Sequence, residues 1–148
     1  MRLSKHFTLE ELTKSQIAQR YRIDNAPGPR HVEDLRELCV HILEPVRKHY
    51  NKPFSPSSGY RCELLNKQIG SSDTSQHIKG QAVDFEVPGV SNMEIALWIK
   101  NALDFDQLIL EFYKEGDPHS GWVHCSYVGK SNRGKSGKYD GRTWRNLP

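Results

Sequence analysis

Two stretches of this chain hold residue types whose spacing suits hydrolytic chemistry. They are Ser75-Gln76-His77-Ile78-Lys79-Gly80-Gln81-Ala82-Val83-Asp84 and Trp122-Val123-His124-Cys125-Ser126. His77, Asp84 and His124 together offer two imidazoles and one carboxylate. That donor set suits a catalytic zinc, which takes three protein ligands and leaves a fourth position for water.

The elements that must position these side chains show in the pattern around them. Ala82 to Val87 alternates apolar and acidic residues, as a half-buried strand does. Val83, Phe85 and Val87 share one face, and Asp84 and Glu86 take the other. A second strand, Trp122 to Val128, puts His124 and Ser126 on one face and Val123 and Cys125 on the other. Were these two strands adjacent, Asp84 and His124 would stand side by side, with His77 arriving from the preceding loop. Phe105 to Tyr113 reads as a buried strand with Leu108 and Leu110 on one face and Glu111 near its end.

The helices are equally patterned. Thr8-Leu9-Glu10-Glu11 and Ser91-Asn92-Met93-Glu94 are capping boxes that open helices. From His31 to about Tyr50, Val32, Leu35, Cys39, Ile42, Leu43 and Val46 recur at helical spacing, which predicts the main core helix. Pro45 should kink it or break it near its last turn. Ile95, Trp98, Ile99 and Ala102 give the helix after Ser91 its buried stripe. Cys62 to Ile69 reads as a short helix. Asn25 to Arg30 and residues 51 to 58 are connectors rich in turn-forming residues. The fold class is α+β: one domain over residues 1–148, with helices packed on a small antiparallel sheet. Residues 129–148 form a basic, Gly/Ser-rich and partly mobile segment, in which Lys130 to Lys138 reads as a solvated loop followed by an edge strand, or as a basic lip that binds the wall polymer. Asp140-Gly141 offers a turn within it.

The pattern S-x-H-x-x-G-x-A-x-D followed by W-V-H-x-S resembles the zinc D,D-peptidase family. That family includes D-alanyl-D-alanine carboxypeptidases, phage endolysins that cut peptidoglycan stem peptides, and the zinc-binding hedgehog domain. The resemblance runs from about Phe7 to Tyr127. It implies that His77, Asp84 and His124 are the zinc ligands and that the fold is hedgehog/D,D-peptidase-like. In several relatives the general base lies three residues before the last His ligand, where this chain has Gly121. Other members carry a Glu at the end of an F-D-x-x-x-x-E strand, and Glu111 matches it. Pro56-Ser57-Ser58-Gly59-Tyr60-Arg61 resembles the family's S-G-Y-R. Arginine's planar fork suits a substrate carboxylate or a polarised carbonyl. Arg61 either serves that role or ties its loop to a backbone carbonyl. Ser75 and Gln76, beside His77, are candidate substrate contacts; Ser75 equally well caps a turn. Asp117 and His119, in the loop before Gly121, are weaker candidates for the chemistry.

Composition excludes several rivals. A net charge of +3 makes no case for nucleic acid, though it suits approach to an anionic cell wall. Three cysteines, an odd number, argue against a disulfide framework. Cys39 and Cys125 fall on core faces, and Cys62 reads as exposed with no partner at metal-motif spacing. No stretch is apolar enough to span a membrane, and the first residues lack a signal peptide's apolar core. The sequence thus predicts cytoplasmic synthesis and a monomer without stable membrane insertion. It would reach the cell wall after release through membrane holes of the holin kind, as a phage endolysin does. The reading is a zinc-dependent peptidase acting on peptidoglycan stem peptides. The alternatives are a zinc-containing binding module without turnover and a virion structural or wall-docking protein.

Overall fold

A reciprocal cap starts the first helix. The Thr8 hydroxyl accepts from the Glu11 N–H at 3.3 Å, and the Glu11 carboxylate accepts from the Thr8 N–H at 3.1 Å. Two free donors are thereby satisfied at the start of α1, Leu9–Thr13. The computed structural model describes residues 1–148. Helix α2, Gln16–Arg20, follows after a Ser15 cap.

The main core helix is a single rod in three parts: α3 (Pro29–Leu38), a π-helical turn (Cys39–Leu43) and α4 (Glu44–Tyr50). The sequence predicts a break at Pro45, and the chain meets the problem one turn earlier. Pro45 has no N–H, and its ring would crowd the carbonyl four residues back. The wider turn relieves this, with the Glu44 N–H bonding the Cys39 carbonyl five residues back. Leu35, Leu38, Cys39, Ile42, Leu43 and Val46 are all fully buried along this rod. Each such side chain contributes about 1.5–3 kcal/mol relative to exposure.

The sheet contains β1 (Ala82–Phe85), β2 (Gln107–Glu111), β3 (Trp122–Ser126), β4 (Lys135–Tyr139) and β5 (Trp144–Arg145), in the order β1-β3-β2-β4-β5. Its inner face is Val83, Phe85, Leu108, Leu110, Val123 and Cys125, all buried. That face packs against the rod and against α6, Asn92–Ala102, which buries Ile95, Ala96 and Ile99. At the start of α6 the Ser91 hydroxyl accepts from the Glu94 N–H at 3.4 Å, and only this half of the expected capping box forms.

The fold is α+β, as expected, but the sheet is mixed and not purely antiparallel. Strand β4 runs parallel to β2. The loop expected through Lys138 therefore ends before Lys135. The second edge of β2 offers unpaired backbone groups that a neighbouring segment can satisfy. The Gly134 N–H bonds the Phe105 carbonyl and the Lys135 N–H bonds the Asp106 carbonyl, each at 3.0 Å. The Asp140 carboxylate then accepts from Arg142 and Thr143 N–H at 2.9 and 2.7 Å, which turns the chain into edge strand β5. All three cysteines are free. Cys62 is half-buried, contrary to expectation, because its Sγ caps α5 (Glu63–Ile69) by accepting from the Leu65 N–H at 3.4 Å.

Candidate metal centre and cleft

The β1–β3 register sets Asp84 directly opposite His124, on the outer face of the sheet. His77 comes from the one-turn 3-10 helix Gln76–Lys79 just before β1. His124 Nδ1 lies 2.8 Å from Asp84 Oδ1, and His77 Nε2 lies 3.4 Å from Asp84 Oδ2. One donor atom from each residue lies within 4.8 Å of the others. His77 Nδ1 is 2.7 Å from the Gly59 carbonyl. A carbonyl only accepts, so Nδ1 carries the proton and Nε2 keeps its lone pair for the centre.

The donor chemistry fits a zinc ion. Burial alone would raise the Asp84 pKa, but the hydrogen bond from His124 and the close approach of the His77 ring outweigh it and hold the carboxyl well below the usual range. Burial pushes the His77 imidazole down, toward the neutral form a ligand needs. His124 Nδ1 and Asp84 Oδ1 share a proton at 2.8 Å. A cation can take that proton's place. The resulting set is two neutral imidazoles and one carboxylate with an open side.

That open side is a cleft of about 1040 Å³, lined by Arg61, Ser75, Gln76, Glu111, Phe112 and Trp122 among others. Glu111 ends β2 opposite Trp122, so it is the diagonal cross-strand neighbour of His124. Such neighbours lie about 7–8 Å apart, within reach of a long side chain. Burial is the main cause that raises the Glu111 pKa, with the Asp84 charge adding to it, while His124 and Arg61 pull the other way. A carboxyl poised upward is better matched to proton transfer near neutrality.

Two glycines fix this geometry. A Cβ on Gly59 would lie 2.4 Å from the Leu12 carbonyl oxygen, so only glycine lets this loop pass α1 and aim its own carbonyl at His77. Gly121 has φ +66°, and a Cβ there would meet the Glu111 carbonyl oxygen at 1.9 Å. Phe112 answers with its own left-handed backbone at φ 57°. We predict that Gly121→Ala displaces the Glu111 end of β2. The cost should be about 1–3 kcal/mol of strain, read as a lower melting midpoint together with reduced turnover. An unchanged midpoint would show that the β2–β3 connection yields freely.

Arg61 stands beside the metal-ligand cluster. Its Nη2 is 4.0 Å from Asp84 Oδ2. Its Nη1 donates to Asn66 Oδ1 at 3.1 Å and its Nε to Ser58 Oγ at 3.4 Å. Burial, the leading influence, lowers its pKa, and the Asp84 and Glu111 charges oppose that. Ser75 lines the cleft, but its hydroxyl is used as a cap, accepting from the His77 N–H at 3.2 Å. Gln76 also lines the cleft and donates to Asp106 Oδ2 at 2.8 Å. His119 is not brought to the cleft. It sits on the exposed turn before Gly121, with its N–H on Asp117 Oδ1 at 3.3 Å, and Asp117 is exposed as well. Sequence reasoning missed Gly59 and Asn66. Gly59 lies inside S-G-Y-R, but its close approach to the Leu12 carbonyl joins residues far apart in sequence and leaves no local signal. Asn66 lies in the helix after Cys62, where nothing in the pattern marks it as the partner of Arg61.

An α+β scaffold that gathers His, Asp and His beside a half-buried Glu and a half-buried Arg has the make-up of a metal-dependent hydrolase. The family model described as Peptidase M15 matches residues 5–126. The chain belongs to the Peptidase M15 family and is a metallopeptidase by that membership. No curated protein matches it significantly. No helix of the chain is long and apolar enough to cross a membrane.

Proposed function

We propose that this protein is a zinc peptidase that hydrolyses an amide bond in peptidoglycan stem peptides. The bond would be that of a D-Ala-D-Ala carboxypeptidase or of an endolysin-type endopeptidase. The setting would be phage or prophage lysis, with release to the wall through holin-type openings. The observation that carries the reading is the convergence of His77, Asp84 and His124 in a cleft that also holds Glu111 and Arg61. His77, Asp84 and His124 would hold the zinc, which supplies Lewis acidity toward the scissile carbonyl and acidifies a water to a pKa of roughly 7. Glu111 accepts a proton from the attacking water and later returns it to the leaving amine. Arg61, held in place by Asn66 and Ser58, presents its remaining N–H groups to a substrate carboxylate or to the oxyanion. The test is digestion of purified peptidoglycan with and without chelator, with fragments identified by mass. A pattern of new amine and carboxyl ends that needs zinc supports the reading. An unaltered polymer in the presence of zinc overturns it.

Arg61→Lys keeps the charge beside Asp84 but loses the fork. It should lower kcat/KM by the equivalent of about 2–4 kcal/mol of transition-state stabilisation. Zinc content should hold, because Asp84 still faces a cation. Comparing kcat/KM, melting midpoint and zinc content with the parent checks this. Loss of zinc or of folding would make Arg61 structural, and unchanged kinetics would remove it from the site.

A further inference from the structure

Asp106 is a buried carboxylate, 3% exposed, that touches none of the residues assigned so far except Gln76. It sits just before β2 and collects four donors. Arg133 gives its backbone N–H and its Nε to Oδ1, both at 3.0 Å, and its Nη2 to Oδ2 at 2.8 Å. Gln76 gives Nε2 to Oδ2 at 2.8 Å. The hydrogen bonds from Arg133, more than its burial, set the Asp106 pKa, lowering it to about 2. Gln76 and Arg133 both line the same cleft as His77 and His124.

The chemistry of this clamp fixes what faces the cleft. An ionised carboxylate only accepts, so Gln76 must turn its amide nitrogen to Asp106 and is left with Oε1 as a free acceptor. Arg133 gives Nε–H and one Nη2–H to Asp106 and keeps its other N–H groups, on Nη1 and Nη2, as donors. An acceptor on Gln76 and donors on Arg133, both tied to the Asp106 carboxylate, match the N–H and C=O of an amide. The charges of Arg133 and Asp106 cancel, so the pair offers a free carboxylate no net positive charge, while Oε1 repels it. Gln107, beside Asp106, and Glu111 mark the two ends of β2. Four residues at the strand rise span about 14 Å, so the clamp lies several substrate atoms away from Glu111.

We propose that Gln76 and Arg133, clamped by Asp106, form a second subsite that reads a neutral amide of the bound peptide away from the cleaved bond. The proposal rests on the peptidase reading and adds the substrate chemistry of that cleft. Gln76 and Asp106 lie within the residues 5–126 that match the family, and Arg133 comes from the segment after them. Remote contacts of this kind help position the reacting bond, and shortened substrates forfeit them. Asp106 is the positioning residue, and Gln76 and Arg133 make the contact.

The experiment is calorimetric titration of the zinc-loaded Glu111→Gln protein with synthetic stem peptides shortened one residue at a time from either end. A matched pair, differing only by a carboxamide or carboxylate, completes the set. One shortening step should cost about 10-fold in affinity, the worth of a hydrogen bond to a charged donor. Adding Arg133→Ala should lower affinity for the longest peptide about 10-fold and erase that step. Gln76→Ala, which leaves the Arg133–Asp106 pair intact, should erase it too and serves if Arg133→Ala does not fold. Asp106→Asn releases the Arg133 charge and should shift preference from the carboxamide toward the carboxylate. A step that persists in both Arg133→Ala and Gln76→Ala, or a uniform loss across the series, overturns the subsite alone. If the Glu111→Gln protein binds no stem peptide, the peptidoglycan reading falls and the subsite with it.

Discussion

His77→Ala is expected to abolish metal binding and peptide hydrolysis together. The reason lies in how the site is assembled. Asp84 and His124 face each other from adjacent strands, while His77 closes the set from a separate 3-10 turn. Removing His77 leaves one imidazole and one carboxylate, too few to hold an open zinc site that already gives one position to water. The Gly59 carbonyl also loses its ring partner. His124→Ala should behave alike. Metal analysis after dialysis should fall from about one zinc per chain to near none, with hydrolysis of peptidoglycan lost. A His77→Ala protein that kept stoichiometric zinc would move the centre elsewhere. A protein that lost zinc but kept its activity would remove zinc from the reaction.

Much of this site can be read from local pattern, and the limits have physical causes. Alternation along Ala82–Phe85 and Trp122–Ser126 determines which side chains face outward, because the side-chain period of a strand is two. Register then needs only adjacency, and buried Val83, Phe85, Val123 and Cys125 pin it: a slip of one residue would turn them all outward. Glu111 follows from the same rule on β2. The clamp on Asp106 is different. Its partners stand 30 residues before it and 27 after it, and no periodicity links them. Strand β4 was illegible for another reason. Lys135-Ser136-Gly137-Lys138 has little strand propensity and becomes a strand because β2 offers it an edge. Gly137 shows the fit: a Cβ there would meet the Trp144 indole at 2.4 Å. The π-helical turn before Pro45 was half legible. The proline announced a defect, but only packing could place it a turn earlier, where Cys39, Ile42 and Leu43 stay buried.

Glu111→Gln is expected to leave zinc in place and lower turnover by roughly 100-fold or more, the usual worth of a positioned general base. The substitution preserves shape and removes the ability to accept a proton. Zinc should be retained because Glu111 contributes no donor to the cluster. Its place as the diagonal neighbour of His124 puts it near the centre without crowding it. The pH profile separates this role from a merely structural one. A base must be ionised to act, so parent activity should fall as pH drops through the Glu111 pKa. Burial raises that pKa above its ordinary value, which moves the acid limb toward neutrality. In Glu111→Gln the group that titrates is gone. The residual activity should lose that limb, while melting midpoint and zinc content stay near the parent's. Near-normal turnover in Glu111→Gln would mean that another group takes the proton. Asp117 and His119 would be poor replacements, because both stand on the exposed turn outside the cleft. Reduced turnover with the acid limb intact would leave Glu111 a shaping role and assign the titration to a different residue of the cleft.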